Sequence, residues 1–281
     1  SNAYQQAQLN MNIFNPKTVS VVDLCIGALI PGLVVVGFCI LYRVGLARVK
    51  PDSTPAIDVN PISGGEVMRG LLPPLVLIVV VLGSILAGAA TPTEASGIGA
   101  VGALLLALAK GQMDWSRLKD ALKSTLETTC MVFLILIGAA VFSLVFRGFG
   151  GEELIHSFFE GMPGGAMGAT LVVMVVIFLL GFILDFIEIT FVVVPIVGPI
   201  LLAMGLDPVW LGIMIALNLH TSFLTPPFGF ALFYLRGVAP ESVPTSAIYR
   251  GVIPFIILQL LLMAALWFMP GMATWLPAAL K

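Results

Sequence analysis

Long apolar runs with few internal charges recur along the chain, at about 19–42, 70–90, 95–109, 128–146, 169–184, 189–203, 208–236 and 246–269. Several approach or exceed the roughly 20 residues that cross a hydrocarbon core as a helix. That feature narrows the fold more than any other. Lipid offers no partner to an unpaired backbone amide, so only helices and closed barrels span it, and the two-residue alternation of a barrel strand is absent. Composition agrees: 59% of the 281 residues are hydrophobic and 10% are charged, with a mean hydropathy of +1.09, whereas soluble domains carry about 25% charged residues. The expected fold is an all-α integral membrane protein. A formal net charge of −2 and the lack of a basic run give no reason to expect nucleic acid. Cys25, Cys39 and Cys130 stand singly in apolar runs, without the spacing of a zinc site, and read as small buried hydrophobes. No Walker phosphate loop occurs, and no residue set supports nucleophilic or metal-hydrolytic catalysis, so the chain is not expected to be an enzyme.

Ser1-Asn2-Ala3 reads as the scar of a cleaved tag, and residues 1–18 together as scar and polar lead, as in a segment cut from a longer protein. The run 19–42 holds Pro31-Gly32, a kink rather than a stop. A polar connection over 43–66 follows, with Pro51, Pro55, Pro61 and Gly64-Gly65. Residues 67–127 take in two apolar helices and the stretch DWSRLKDALKSTLE (114–127), which sets Trp115, Leu118, Leu122 and Leu126 at helical spacing among charges and reads as an amphipathic interfacial helix. The remainder, 128–281, holds a span at about 128–146, an acidic, glycine-rich connection at 147–168, a pair of apolar arms over 169–203 meeting at LDFIE, the segment 208–236, and a last span at 246–269.

Charge fixes the parity of the crossings. Arg43, Arg48, Lys50 and Arg69 flank one connection, Lys110, Arg117, Lys119 and Lys123 fill a second, and Arg236 and Arg250 flank a third. Positive charge favours the cytoplasmic side, and all three fall there only if 169–203 makes an even number of crossings. A re-entrant hairpin satisfies that parity and the shortness of its second arm, interrupted by Pro195 and Pro199. Glu152, Glu153, Glu160 and Asp207 then lie outside. A short echo, IGALIPGLVVVG (26–37) against YRGVIPFIILQL (249–260), suggests that each closes one repeat of an inverted pair, or is coincidence.

Three polar stretches bear on chemistry. TPTEA (91–95) has the grammar of a capping box, with Thr91 as cap, Pro92 at the first helical position and Glu94 reaching back. Asp207-Pro208 has the same cap-and-proline form. LDFIE (184–188) places Asp185 and Glu188 three apart, on one face of a helix; ionisable residues at membrane depth are functional candidates, and the alternatives are a solvated loop or a carboxylate that balances a bound cation. NLHTSFLTPPFGF (218–230) sets Asn218, His220, Thr221, Ser222 and Thr225 ahead of Pro226 and Pro227. The prolines predict a helix broken across 220–225, with Thr225 capping a new half-helix. Broken backbone in a bilayer lines a cavity or is buried in protein; a plain kink with hydroxyls bonded back to carbonyls is the competing reading. His220 reads as a satisfied polar residue within the bundle.

The blocks GAATPTEASGIGA, FILDFIEITFVVVPIVGPI, NLHTSFLTPPFGFALFYLRGVAP and IYRGVIPF resemble, in order, the large membrane subunit of tripartite ATP-independent periplasmic (TRAP) transporters. The resemblance implies an elevator-type transporter fold with a re-entrant helical hairpin and a discontinuous helix, here the second repeat of an inverted-repeat pair. It makes 19–42 the last helix of the first repeat, 43–66 a cytoplasmic linker, 67–127 scaffold helices with an amphipathic arm, and 128–281 half of a transport domain. It implies Na⁺-coupled, binding-protein-dependent import of small organic anions, such as dicarboxylates or sugar acids, across the bacterial inner membrane. The implied partners are a small membrane subunit, a periplasmic solute-binding protein and the missing N-terminal repeat. By position, Asp185, Thr221, Thr225 and the Phe228 carbonyl are the implied Na⁺ ligands, and Asn218, Ser222, Pro226, Pro227, Gly229 and Glu188 line the implied substrate cavity. A carrier that works without a binding protein, and a channel or scaffold subunit, are the alternatives.

Overall fold

The computed structural model describes residues 2–10, 18–51, 64–226, 229–240 and 243–280. Every regular element among them is helical. Among the described residues six helices are long and apolar enough to cross a membrane, and at most 22% of any such stretch is buried within the protein. Their apolar surface therefore faces outward, as lipid-facing helices require. The chain divides into two compact units, Tyr42–Cys130 and the combination of Ser1–Leu41 with Met131–Lys281.

In chain order, α1 (Asn2–Asn10) includes two of the three residues that read as a tag scar, yet it is helical and packs on α9 with Ala7 fully buried. Helix α2 (Val21–Val49) contains Pro31 and runs past the expected end at 42, so Arg43 and Arg48 ride on the helix rather than in a loop. Most of the linker that follows lies outside the described residues.

In the Tyr42–Cys130 unit, α3 (Gly64–Leu86) and α4 (Pro92–Ala109) pack as a hairpin. Gly88 makes the turn at φ 68°, where a side chain would be strained, and Ala89 N–H donates back to the Ser84 carbonyl. The capping box expected at TPTEA is present: Thr91 N–H donates to Glu94 Oε2 at 2.8 Å, and Glu94 N–H donates to Thr91 Oγ1. Gly102 lets α4 lie directly on Leu77.

The expected interfacial helix at 114–127 and span at 128–146 are one helix, α5 (Trp115–Gly148). No glycine or proline falls between Trp115 and Ile137, so nothing in the backbone chemistry separates the two halves. The glycine-rich connection that follows folds in part into α6 (Gly151–Glu160), entered through Gly150 at φ 74°. Its side of the unit core is Phe159, 5% exposed.

The hairpin is formed by α7 (Gly165–Leu180) and a second arm made of α8 (Phe186–Glu188), a π-helical stretch (Ile189–Val193) and α9 (Val194–Ala203). The two arms pack on each other. Next come α10 (Pro208–Leu224), α11 (Phe230–Val238), α12 (Thr245–Phe268) and α13 (Gly271–Ala279). Asp207 caps α10 as expected, its Oδ1 accepting from Val209 N–H and Trp210 N–H at 2.9 Å each.

Helix α10 is the axis of this unit. Trp210, Leu211, Ile213, Met214 and Ile215 are all buried in the core it shares with α7, α9 and α12. Trp210 Nε1 donates to the Leu266 carbonyl of α12 at 2.9 Å, and its ring meets Trp267 edge-on. Glycine permits close approach on the other side. A methyl group at Gly27 of α2 would lie 2.8 Å from Val209, Ile213 and the Ala273 carbonyl, and one at Gly212 would lie 2.8 Å from Leu24.

Candidate functional site

Two backbone interruptions meet in the Met131–Lys281 segment. The first is the hairpin tip. Helix α7 ends in a tight turn, with Gly181 N–H bonded to the Ile177 carbonyl and Leu184 N–H to the Leu180 carbonyl. Asp185 is extended at φ −70°, ψ 156°, and its Oδ1 accepts the first amide of the second arm, from Phe186, at 2.8 Å. An anionic cap at a helix N-terminus both satisfies an orphan donor and meets the positive end of the dipole. Asp185 and Glu188 are both half-buried. The π-helical stretch begins at the next residue, a device frequent at functional sites.

The second interruption is the end of α10, and here the structure corrects the expected boundary. The helix does not break across 220–225 but continues to Leu224, with Thr225 as its extended C-cap at φ −86°, ψ 126°. A proline removes the hydrogen bond to the carbonyl four residues earlier and constrains the residue just before it. Pro226 therefore acts at Thr225 and on the Ser222 carbonyl, and leaves 220–224 helical. The Ser222 carbonyl takes Thr225 N–H instead, at 3.0 Å. Thr225 also does not cap the next half-helix: α11 starts at Phe230, and its cap is Gly229 without a side-chain bond. Gly229 is buried, and a Cβ there would lie 2.6 Å from the Phe223 carbonyl oxygen and 2.9 Å from that of Thr225. Only glycine admits that fold-back.

The two interruptions touch. Gly181 sits against Ser222, whose Cβ would be 2.6 Å from any Cβ added at 181. Two turns earlier on α7, the Met174 carbonyl accepts from Asn218 Nδ2 at 2.7 Å. Asn218, Thr221 and Ser222 are all at most 1% exposed. Of the expected site residues, these three thus lie together on α10 against the hairpin, with Thr225 and Pro226 half-buried at its end and Gly229 folded back on it. Asp185 and Glu188 lie on the second arm. Pro227 and Phe228 lie outside the described residues.

The hydroxyls all bond back along the helix: Thr221 Oγ1 to the Leu217 carbonyl at 2.7 Å, Ser222 Oγ to Leu219 at 2.9 Å, and Thr225 Oγ1 to Thr221 at 2.8 Å. This is the bonding pattern of the plain-kink reading, and it has a chemical corollary. Each hydroxyl has one proton and two lone pairs; with the proton committed, it has only acceptor capacity left. A hard cation takes oxygen ligands, so the lone pairs left on these hydroxyls can serve one.

The sequence reading missed a neighbouring wall. Phe186, Thr190, Ala216, Leu219, His220 and Phe223 line a cavity of about 410 Å³ between the second arm and α10. His220 is exposed there, not enclosed in the bundle as expected. Thr190 Oγ1 donates to the Phe186 carbonyl at 2.6 Å. Thr190 falls within the π-helical stretch, and its facing depends on a local hydrogen-bond shift that periodicity does not reveal.

Comparison with known proteins adds an independent line. The description "Tripartite ATP-independent periplasmic transporter, DctM component" matches residues 9–272. The large permease of an ectoine/5-hydroxyectoine TRAP transporter from Ruegeria pomeroyi is 30% identical over 92% of this chain and 60% of its own length. The C4-dicarboxylate large permease of Vibrio cholerae is 28% identical over 96% of this chain and 64% of its own length. The sialic acid large permease of the same organism is 28% identical over 75% of this chain and 48% of its own length. The chain thus spans about half to two thirds of the length of these relatives.

Proposed function

The chain belongs to the DctM-component family of tripartite ATP-independent periplasmic transporters, and from that premise we propose that it is the C-terminal portion of a large permease subunit that couples Na⁺ entry to import of small organic anions. In this reading the hairpin and the interrupted helix move together as one half of an elevator. Asp185, Thr221, Thr225 and the Phe228 carbonyl supply oxygens to Na⁺, and Asn218, Ser222, Pro226, Pro227, Gly229 and Glu188 line the adjoining substrate space. A periplasmic binding protein delivers the solute, and a small membrane subunit and the N-terminal repeat complete the machine. Cargoes named for the relatives, ectoines, C4-dicarboxylates and sialic acid, all carry a carboxylate, which supports the substrate class.

The observation that carries the reading is the seating of the hairpin tip, at Gly181, on Ser222, one turn ahead of the proline break. Two backbone interruptions in lipid are costly, and their coincidence on acceptor-only side chains suits a cation held at the junction. A half-helix end with turned carbonyls is a recurring way to hold a coupling ion at membrane depth.

The test is uptake by the complete transporter in proteoliposomes. Asp185→Asn and Thr225→Ala should each raise the Na⁺ needed for half-maximal uptake by roughly tenfold or more, the range for losing one contact to a charged group. Wild-type uptake that persists when choline replaces Na⁺ would sink the coupling claim. Wild-type Na⁺ affinity in both variants would move the site elsewhere.

A further inference from the structure

Gln259 is 4% exposed in the middle of α12, and its Oε1 is the one buried side-chain polar atom without a hydrogen-bond partner among the described residues. An unpartnered buried acceptor is destabilising, and in a native fold such a group calls for an explanation. Apolar residues of similar size are abundant in this chain and would avoid the cost at that position.

Its depth in the fold suggests the explanation. Helices α10 and α12 pack against each other in antiparallel register, fixed at two levels. Trp210 Nε1 bonds the Leu266 carbonyl, and Met214 shares a cavity wall with Leu260, Met263 and Ala264. Continuing one turn brings Gln259 level with Leu217 and Asn218, one turn before Thr221. That level is donor-poor. Asn218 Nδ2 donates to the Met174 carbonyl at 2.7 Å and to Met174 Sδ at 3.7 Å, Thr221 Oγ1 donates to the Leu217 carbonyl and Ser222 Oγ to that of Leu219. Only a species that brings positive charge or its own protons can satisfy a carbonyl oxygen there.

We propose that Gln259 supplies a further oxygen to the coupling cation, reaching the site from α12, so that the ion ties the closing helix to the hairpin and the interrupted helix. The proposal rests on the Na⁺ reading above and adds to it a residue, and a helix, that the sequence did not single out. An amide oxygen is a good ligand for a hard cation, and it carries no charge to be desolvated in the membrane.

Two readouts on the complete purified transporter test it: the thermal midpoint as NaCl replaces choline chloride at constant ionic strength, and the Na⁺ dependence of uptake. The wild type should be stabilised by Na⁺. Gln259→Leu should lose most of that increment and raise the half-saturating Na⁺ by roughly tenfold. Gln259→Glu, which keeps an oxygen at the same reach, should retain Na⁺ stabilisation. If Gln259→Leu keeps the wild-type Na⁺ increment and affinity, the buried amide is structural and the inference is overturned. Should Gln259→Leu fail to fold, Gln259→Met and Gln259→Glu carry the same comparison. A wild type indifferent to Na⁺ in both readouts would instead overturn the coupling reading on which the inference stands.

Discussion

Gly181 is the residue on which the site's geometry turns. Its backbone is ordinary right-handed helix, φ −64°, so conformation does not demand glycine; proximity does. A side chain there would strike Ser222 on α10, which is itself buried and bonded to the Leu219 carbonyl. Gly181→Ala should therefore separate the tip from α10 and lower stability by roughly 1–3 kcal/mol, the usual range for overpacking. Adding Ser222→Gly should recover part of the loss, although glycine within a helix costs about 1 kcal/mol of its own. Thermal unfolding of the single and double variants measures the coupling, and strictly additive effects would show that the two residues do not meet. Little of this was legible in the sequence. LDFIE and the polar face of α10 stand out by polarity, whereas Gly181 is one of 29 glycines, and a contact 41 positions away leaves no local signature. Gln259, a lone amide in an apolar run, was equally quiet.

At the scale of elements, the physics that is local read well and the physics that is tertiary did not. Caps depend on adjacent residues, so Thr91 with Glu94 and Asp207 with Pro208 are as the sequence implies. Asp207→Ala should cost about 1 kcal/mol, within the 0.5–2 kcal/mol range for lost caps, and Asp207→Asn much less, because an amide oxygen still accepts from Val209 and Trp210; denaturation in detergent reports the difference. The broken helix is legible as a break from its prolines, and its position slips because their reach is shorter than expected: Pro226 acts at Thr225 and leaves 220–224 helical. The hydroxyls of 221–225 stay within the helix by bonding its own carbonyls, a common accommodation of Ser and Thr. The continuity of α5 was missed for the converse reason: a change from amphipathic to wholly apolar composition alters what surrounds a helix, not whether it continues.

For the molecule as a whole, the sequence speaks through charge. Arg236 lies in the last turn of α11, its guanidinium bonded to the Val243 carbonyl across the connection to α12. If α7 and the second arm enter and leave on one side, that connection would share a side with the arginine- and lysine-rich ones, which the positive-inside rule expects to be cytoplasmic. A cysteine substituted at Ala239, in a background with Cys25, Cys39 and Cys130 replaced, should react with an impermeant thiol reagent only from the cytoplasmic face. Labelling from the periplasmic face would mean an odd number of crossings by 165–203.

The π-helical stretch at Ile189–Val193 gives length in this arm the meaning of an angle. Each residue of an α-helix advances about 100° around the axis, and a π turn accommodates one residue more than an α turn. If 189–193 relaxed into plain α-helix with all of its residues, the extra one would no longer be absorbed, and Asp185, Phe186 and Glu188 would be carried roughly a quarter turn around the axis relative to α9. The tip would keep its composition and most of its reach while presenting another face to α10. The width of that one turn therefore sets which face the tip presents, and backbone spacing is part of the site even where its side chains are not.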